Sequence, residues 1–173
     1  MAAASPLPIS MSEYLHTSYE PDCDYVDGIV ESRSVGAADH SKIETALVAY
    51  CNSRNWGVRA EPEVRVQTSA SHVRVADVAV MAEDAGRDEV IDSPPVAVIE
   101  VISPEDRNPR HTERIEDYRR MGIKSIWVVD PAARKGFDCS SGSWVETEHF
   151  AAAGSPVRID LPDFFAAIGA GRA

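Results

Sequence analysis

Two stretches of sequence decide the fold, VRVADVAVM at 73–81 and VAVIEVI at 96–102. The first alternates along a strand, setting Val73, Val75, Asp77, Ala79 and Met81 on one face. The second is apolar on both faces, the pattern of a strand in the middle of a sheet. The polar segment between them, Ala82–Pro95, reads as a loop with room for one helical turn. Toward the N-terminus, Val58–Thr68 alternates as a further strand, and Pro62 points to an edge position or a bulge. Ile43, Ala46, Leu47, Tyr50 and Cys51 recur at helical spacing. Ser41 and Glu44 have the spacing of a capping box at the start of that helix, and Asn55 and Gly57 mark its end. Asp24–Arg33 reads as a hairpin turning at Asp27-Gly28, preceded by a short amphipathic segment at Ile9–Leu15.

Toward the C-terminus, a helix is expected over Pro109–Met121, with Asn108 as its cap and Gly122 as its stop. Ile126–Val129 reads as a buried strand, two shorter strands flank Ser141-Gly142, and LPDFFAAI at 161–168 reads as a last short helix. This order predicts an α/β fold, a central mixed β-sheet flanked by helices. No long linker interrupts it, so one domain over 9–173 is expected behind a flexible tail at 1–8.

The 173 residues carry 17 Lys and Arg against 28 Asp and Glu, a net charge of −11. With 44% hydrophobic and 26% charged residues the chain is globular in composition and not disordered. No run approaches the ~18 apolar residues of a membrane-spanning helix. The opening MAAASPLP lacks the basic start and apolar run of a secretory signal. Cys23, Cys51 and Cys139 are odd in number and form no CxxC pair, which fits a reducing cytoplasmic setting. An acidic surface repels polyanions, so nucleic acid can bind only through a local basic patch or a bound cation.

Two carboxylates stand where carboxylates are costly. Glu100 lies inside the most apolar stretch of the chain, and Asp77 shares a strand face with Val73, Val75, Ala79 and Met81. An ionised carboxylate removed from water costs several kcal/mol unless a cation, an Arg or Lys, backbone donors or residual water offset it. Carboxylates on adjacent strands suit Mg²⁺, a hard cation that takes oxygen ligands and can activate water against a phosphoryl group. The bland alternative is a salt bridge to a nearby arginine, with Arg74 and Arg114 as candidates. Geometry separates the two readings. Carboxylates converging within about 4–5 Å on one side of the sheet favour the metal, and an arginine bridging them favours the salt bridge.

The helix after Glu100 belongs to the most basic stretch, with six Lys or Arg against three acids between Arg107 and Lys124. With Ile115 and Tyr118 facing the core, Arg114 falls at the edge of the buried stripe and can reach back toward the sheet. The other basic residues face either solvent or a phosphate backbone. The five histidines show no zinc spacing, and no phosphate-binding Gly loop or nucleophile elbow is present. His40 reads as a capping or core-edge residue.

Several strings, taken in order, resemble a putative restriction-endonuclease family, a domain of unknown function in the PD-(D/E)XK nuclease superfamily. They are SEYL at 12–15, DYVDG at 24–28, His40 at a helix start, VRVADVAV at 73–80, VAVIEVISP at 96–104, DYRRMGI at 117–123 and WVVDP at 127–131. The resemblance implies a restriction-endonuclease-like fold and a Mg²⁺-dependent phosphodiesterase site, with Mn²⁺ as a substitute. It assigns Asp77 and Glu100 as metal ligands and adds Asp24 as an early acidic position. The superfamily lysine expected two residues after the second acid is here Ile102. In this family the lysine resembles one moved to the following helix, and that position holds Arg114; Ala76 stands where the family has proline.

Arginine keeps its charge and cannot serve as a base, which leaves two main readings. One is a metal-dependent DNA endonuclease with Asp77, Glu100 and Arg114 as its catalytic residues, acting as a homodimer by analogy with superfamily enzymes that cut both strands. The other is a nuclease-fold interaction module in which Arg114 pairs with a carboxylate and fills the space of the metal. Action on RNA or a small nucleotide ranks last, because no aromatic stacking platform is evident.

Overall fold

In the computed structural model, residues 7–33, 38–102 and 109–170 are described. The elements run α1 (Met11–Leu15), β1 (Cys23–Val26), β2 (Ile29–Ser32), α2 (Ala38–Asn52), β3 (Val58–Gln67), β4 (His72–Ala82), β5 (Val90–Ile91) and β6 (Ala97–Val101). They continue with α3 (Pro109–Met121), β7 (Ile126–Asp130), β8 (Lys135–Asp138), β9 (Val145–Thr147), β10 (His149–Ala151), β11 (Arg158–Asp160) and α4 (Leu161–Ala170). This is the expected α/β architecture. Among the described residues nine strands form one mixed sheet, ordered β2-β1-β4-β6-β7-β8-β9, with β3 on β4 and β5 on β3. The β6–β7 pair is parallel, which the α3 crossover permits.

Both faces of the sheet are covered. On one, Leu47 and Cys51 of α2 and Phe164 of α4 pack with Val78, Ile99 and Trp127. On the other, Ile115 and Tyr118 of α3 pack with Ala79, Val98 and Val128. That explains the wholly buried β6, whose side chains meet a helix whichever way they point. Gly136 on β8 lies where the second layer presses closest: a Cβ there would stand 2.2 Å from Leu161 Cδ1 and 2.8 Å from Phe150 Cζ. Gly136→Ala is therefore expected to destabilise the fold by about 1–3 kcal/mol through overpacking, read as a lower urea midpoint at unchanged slope.

Some local expectations need correction. Helix α2 starts at Ala38, so Ser41 lies inside the first turns and its carbonyl accepts from Thr45 Oγ1 at 2.8 Å. The capping box with Glu44 does not form, because the Glu44 carboxylate turns inward to His40. The Ala82–Pro95 segment holds a short strand, β5, pairing in parallel with β3 at Arg65–Val90 and Val66–Ile91. Pattern reading missed it because two residues are too few to show alternation. The β10–β11 hairpin was missed for the same reason. The proposed cap Asn108 and most of the N-terminal tail lie outside the described residues. The stop at Gly122 holds: φ is +97° there, and Ile123 N–H donates to the Tyr118 carbonyl, closing the helix end.

Along one side β4 pairs with β3 from Val58–Ala82 to Gln67–Val73. Along its other side it pairs with β1 at His72 and Val73, then with β6 at Val78 to Val80. Between those two partners the sheet forks, and Val75 has no strand to bond on that side. Glu63 on β3, facing Asp77 across the ladder, takes a left-handed φ of 50° beside Pro62. The register resumes at Val64–Ala76, so this is a kink and not an inserted residue.

Candidate functional site

Buried backbone groups must be paired, and at the fork side chains do what a strand would do elsewhere. Val75 N–H donates to Asp24 Oδ1 at 2.9 Å, and the Val75 carbonyl accepts from Arg114 Nη1 at 2.8 Å. Asp77 Oδ2 accepts from Val101 N–H at 2.8 Å, just beyond the last β4–β6 pair. Because Val78 pairs with Ile99, Asp77 and Glu100 come abreast one step further along the same antiparallel register. The chain thus brings together Asp24, Asp77, Glu100 and Arg114, although they come from β1, β4, β6 and α3.

Each charged group there has a partner. Arg114 donates to Glu100 Oε2 at 3.1 Å and to Asp24 Oδ2 at 2.7 Å. Tyr118, one turn further along α3, donates its hydroxyl to Glu100 Oε1 at 2.7 Å. Asp77 is held by Arg33 through a short hydrogen bond and lies 3.3 Å from His40 Nε2. Arg74, one of the two arginines considered for these carboxylates, pairs instead with Asp24 at 3.1 Å and Asp117 at 2.7 Å. Arg114 therefore spans Glu100 and Asp24, and a different arginine takes Asp77.

Arg33, His40 and Glu44 were not singled out for the site from the sequence. His40 is no mere cap: its Nδ1 stands 3.4 Å from Glu44 Oε1, its Nε2 faces Asp77, and it sits two residues inside α2. A signal was present, since His40 and Glu44 extend the buried stripe of Ile43, Leu47 and Cys51 at helical spacing. Nothing in the sequence marked Arg33, which lies just past a hairpin strand. The basic face of α3 is less available than expected, because Arg119 and Arg120 both pair with Glu116, at 2.7 and 3.4 Å.

At this cluster five buried carboxylates (Asp24, Glu44, Asp77, Glu100, Asp117) face Arg33, Arg74, Arg114, His40 and His72. Burial disfavours charge on His40, but the carboxylates of Asp77 and Glu44 outweigh it and push its pKa up to about 10. Burial pushes the Glu100 carboxyl up, Arg114 pulls it back, and the Asp77 charge adds to the rise, leaving it at about 7. At Asp77, burial is outweighed by His40 and by the charges of Arg33 and Arg114, so this carboxyl stays below its usual range. Two neighbouring acids driven in opposite directions are a common property of reaction sites.

A pH dependence follows for the metal-free protein. Glu100 binds its proton more tightly folded, at about 7, than unfolded, near 4.5. Its contribution is fully present below pH 4.5 and is lost as the pH rises through 7. Glu100→Gln should flatten the stability profile between pH 5 and 7, measured by urea unfolding in chelator. His40, raised in pKa, loses its contribution only above about 6.5, and does so in both proteins.

The donors suit a hard divalent ion. Asp77 and Glu100 lie one register step beyond the Val78–Ile99 pair, and the uncharged Val101 N–H and Tyr118 hydroxyl each hold one of their oxygens, which keeps a second lone pair.

Comparison with known proteins gives the family and the fold. Residues 11–167 match Uma2, the putative restriction endonuclease family. The chain belongs to the Uma2 family. Its fold matches the crystal structure of a putative nuclease belonging to DUF820 from Anabaena variabilis, with a TM-score of 0.73 at 20% identity. That alignment covers 93% of this chain and 99% of the other. No curated protein matches. The family assignment and the fold match are consistent with the PD-(D/E)XK superfamily. Among the described residues of this Uma2 chain no helix is long and apolar enough to cross a membrane.

Proposed function

We propose that this chain is a metal-dependent endonuclease that hydrolyses phosphodiester bonds in DNA, with Asp77 and Glu100 as ligands of Mg²⁺, replaceable by Mn²⁺. The observation that supports it is the position of these two acids, abreast at the fork of the sheet in an acid-rich cluster. Bound there, Mg²⁺ would supply a Lewis acid toward a phosphoryl oxygen and a bound water of lowered pKa. The protein supplies the rest. Val101 N–H and the Tyr118 hydroxyl fix the carboxylate orientations, as hydrogen bonds behind metal ligands do. Arg114 cannot accept a proton, so its role is to stabilise negative charge on the phosphoryl group while holding Glu100 in place. Against a net charge of −11, DNA must be held by the bound cation and a local basic rim, and Lys and Arg contacts to phosphates release counterions, so affinity falls steeply with salt. By analogy with superfamily enzymes that cut both strands, the acting form is a homodimer.

The test is cleavage of supercoiled and linear duplex DNA by purified protein with Mg²⁺, Mn²⁺ or chelator. Metal-dependent nicking is expected, and no cleavage across a range of substrates overturns the reading. The interaction-module alternative draws on one observation, that Arg114 and Arg33 already compensate Glu100 and Asp77. Arg114→Lys separates the two: gain or retention of metal-dependent cleavage supports the nuclease, and an inactive folded variant beside an inactive parent supports the module.

A further inference from the structure

We propose that Arg33 is a positioning residue for Asp77, a tethered counter-ion that holds this carboxylate in the metal-free protein and moves to Glu63 when a divalent metal takes its place. The proposal deepens the metal-site reading above. It rests on Asp77 as a ligand but not on DNA cleavage.

The two oxygens of Asp77 have different partners. Oδ2 accepts from Val101 N–H at 2.8 Å and faces His40 Nε2 at 3.3 Å, whereas Oδ1 accepts from Arg33 Nη2. Arg33 therefore stands on the oxygen that the backbone does not hold. A guanidinium and a divalent cation cannot share one carboxylate oxygen in a partly buried site, because their charges repel strongly at contact range. Moving Arg33 off Oδ1 frees that oxygen and leaves intact the Val101 bond that orients the carboxylate.

Strand β3 supplies the place to which Arg33 moves. Pro62 pairs with Val78 and Val64 with Ala76, so Glu63 falls opposite Asp77. Like charges facing each other across a ladder destabilise a sheet, and Arg33 stands against both of these. Its Nη1 lies 3.7 Å from Glu63 Oε1, an ion pair just beyond hydrogen-bond reach, so a small swing of the guanidinium completes it. The two carboxylates differ in depth. The Asp77 side chain is 5% exposed and that of Glu63 56%, which puts one inside the site and the other at its rim. Glu63 also holds a left-handed φ of 50°, a costly conformation for a residue with a side chain, which persists only where the surroundings fix it. Arginine keeps its charge in both positions, so the exchange requires no proton.

The experiment titrates Mn²⁺ into the metal-free full chain and follows loss of the free-ion EPR signal in the parent, Arg33→Met, Glu63→Gln and the double variant. Arg33→Met is expected to bind Mn²⁺ about tenfold tighter, since no counter-ion has to be displaced. Glu63→Gln should bind about fivefold more weakly, and that loss should vanish in the Arg33→Met background, because Glu63 acts only through Arg33. Thermal unfolding gives a second readout. Arg33→Met leaves Asp77 without its arginine, so its Tm should fall in chelator and gain more from Mn²⁺ than the parent's does, which a purely structural arginine would not show. Four results overturn the proposal: an equal Glu63→Gln effect in both backgrounds, no tighter binding in Arg33→Met, no extra gain in its Tm from Mn²⁺, or no Mn²⁺ binding at all. The two readings fail separately. Coupled Mn²⁺ binding in a protein that cuts no DNA removes only the nuclease reading, and metal-dependent cleavage with an uncoupled Glu63→Gln removes only this one.

Discussion

Asp77→Asn is expected to lower metal-dependent DNA cleavage by about a thousandfold while leaving the protein folded. The activity loss follows from the proposed role of Asp77 as a ligand, because the metal's contribution to the transition state amounts to several kcal/mol. The survival of the fold follows from charge. Stripping one partner from a buried ion pair typically costs about 3–5 kcal/mol, since the other charge is left without compensation. Here the amide keeps an oxygen for Val101 N–H, and Arg33 keeps a second carboxylate, Glu63, at 3.7 Å. Thermal unfolding and cleavage measured on the same preparation check both halves. A folded variant with parental activity would remove Asp77 from the reaction.

Arg114→Met should do the reverse, destabilising the protein by about 3–5 kcal/mol. Arg114 is the one side chain seen to bind both acids flanking the fork and the Val75 carbonyl between them. Removing it exposes Glu100 to Asp77 without its main counter-charge and orphans a backbone acceptor in the sheet. At this chain length the loss corresponds to a fall in Tm of roughly 6–20 °C. Arg114→Lys keeps the charge but a single ammonium cannot reproduce the fork of contacts, so about 1–2 kcal/mol is expected. A Tm for Arg114→Met within a degree or two of the parent would show that the fork does not rely on this arginine.

These two variants differ because Asp77→Asn keeps an oxygen for Val101 N–H, whereas Arg114→Met removes the hydrogen bonds to Asp24, Glu100 and the Val75 carbonyl together. Those partners belong to β1, β6 and β4, which only the fold brings to one arginine of α3.

Much of the architecture was legible in the chain itself, because period-2 and period-3.6 patterns are local properties of the sequence. The alternation of 73–81 and the doubly apolar 96–102 specified two adjacent strands of the central sheet, and the Ile43–Cys51 stripe specified the helix that covers them. Asp77, Glu100 and Arg114 were also visible, as charges set in or beside apolar patterns that would otherwise be continuous. The tertiary structure alone decided how those charges are shared. Arg33 and Asp77 are 44 residues apart, and Arg114 and Asp24 are 90 apart, separations at which no periodicity operates. Register between strands and the fork of β4 set those pairings, and both are products of packing the whole sheet.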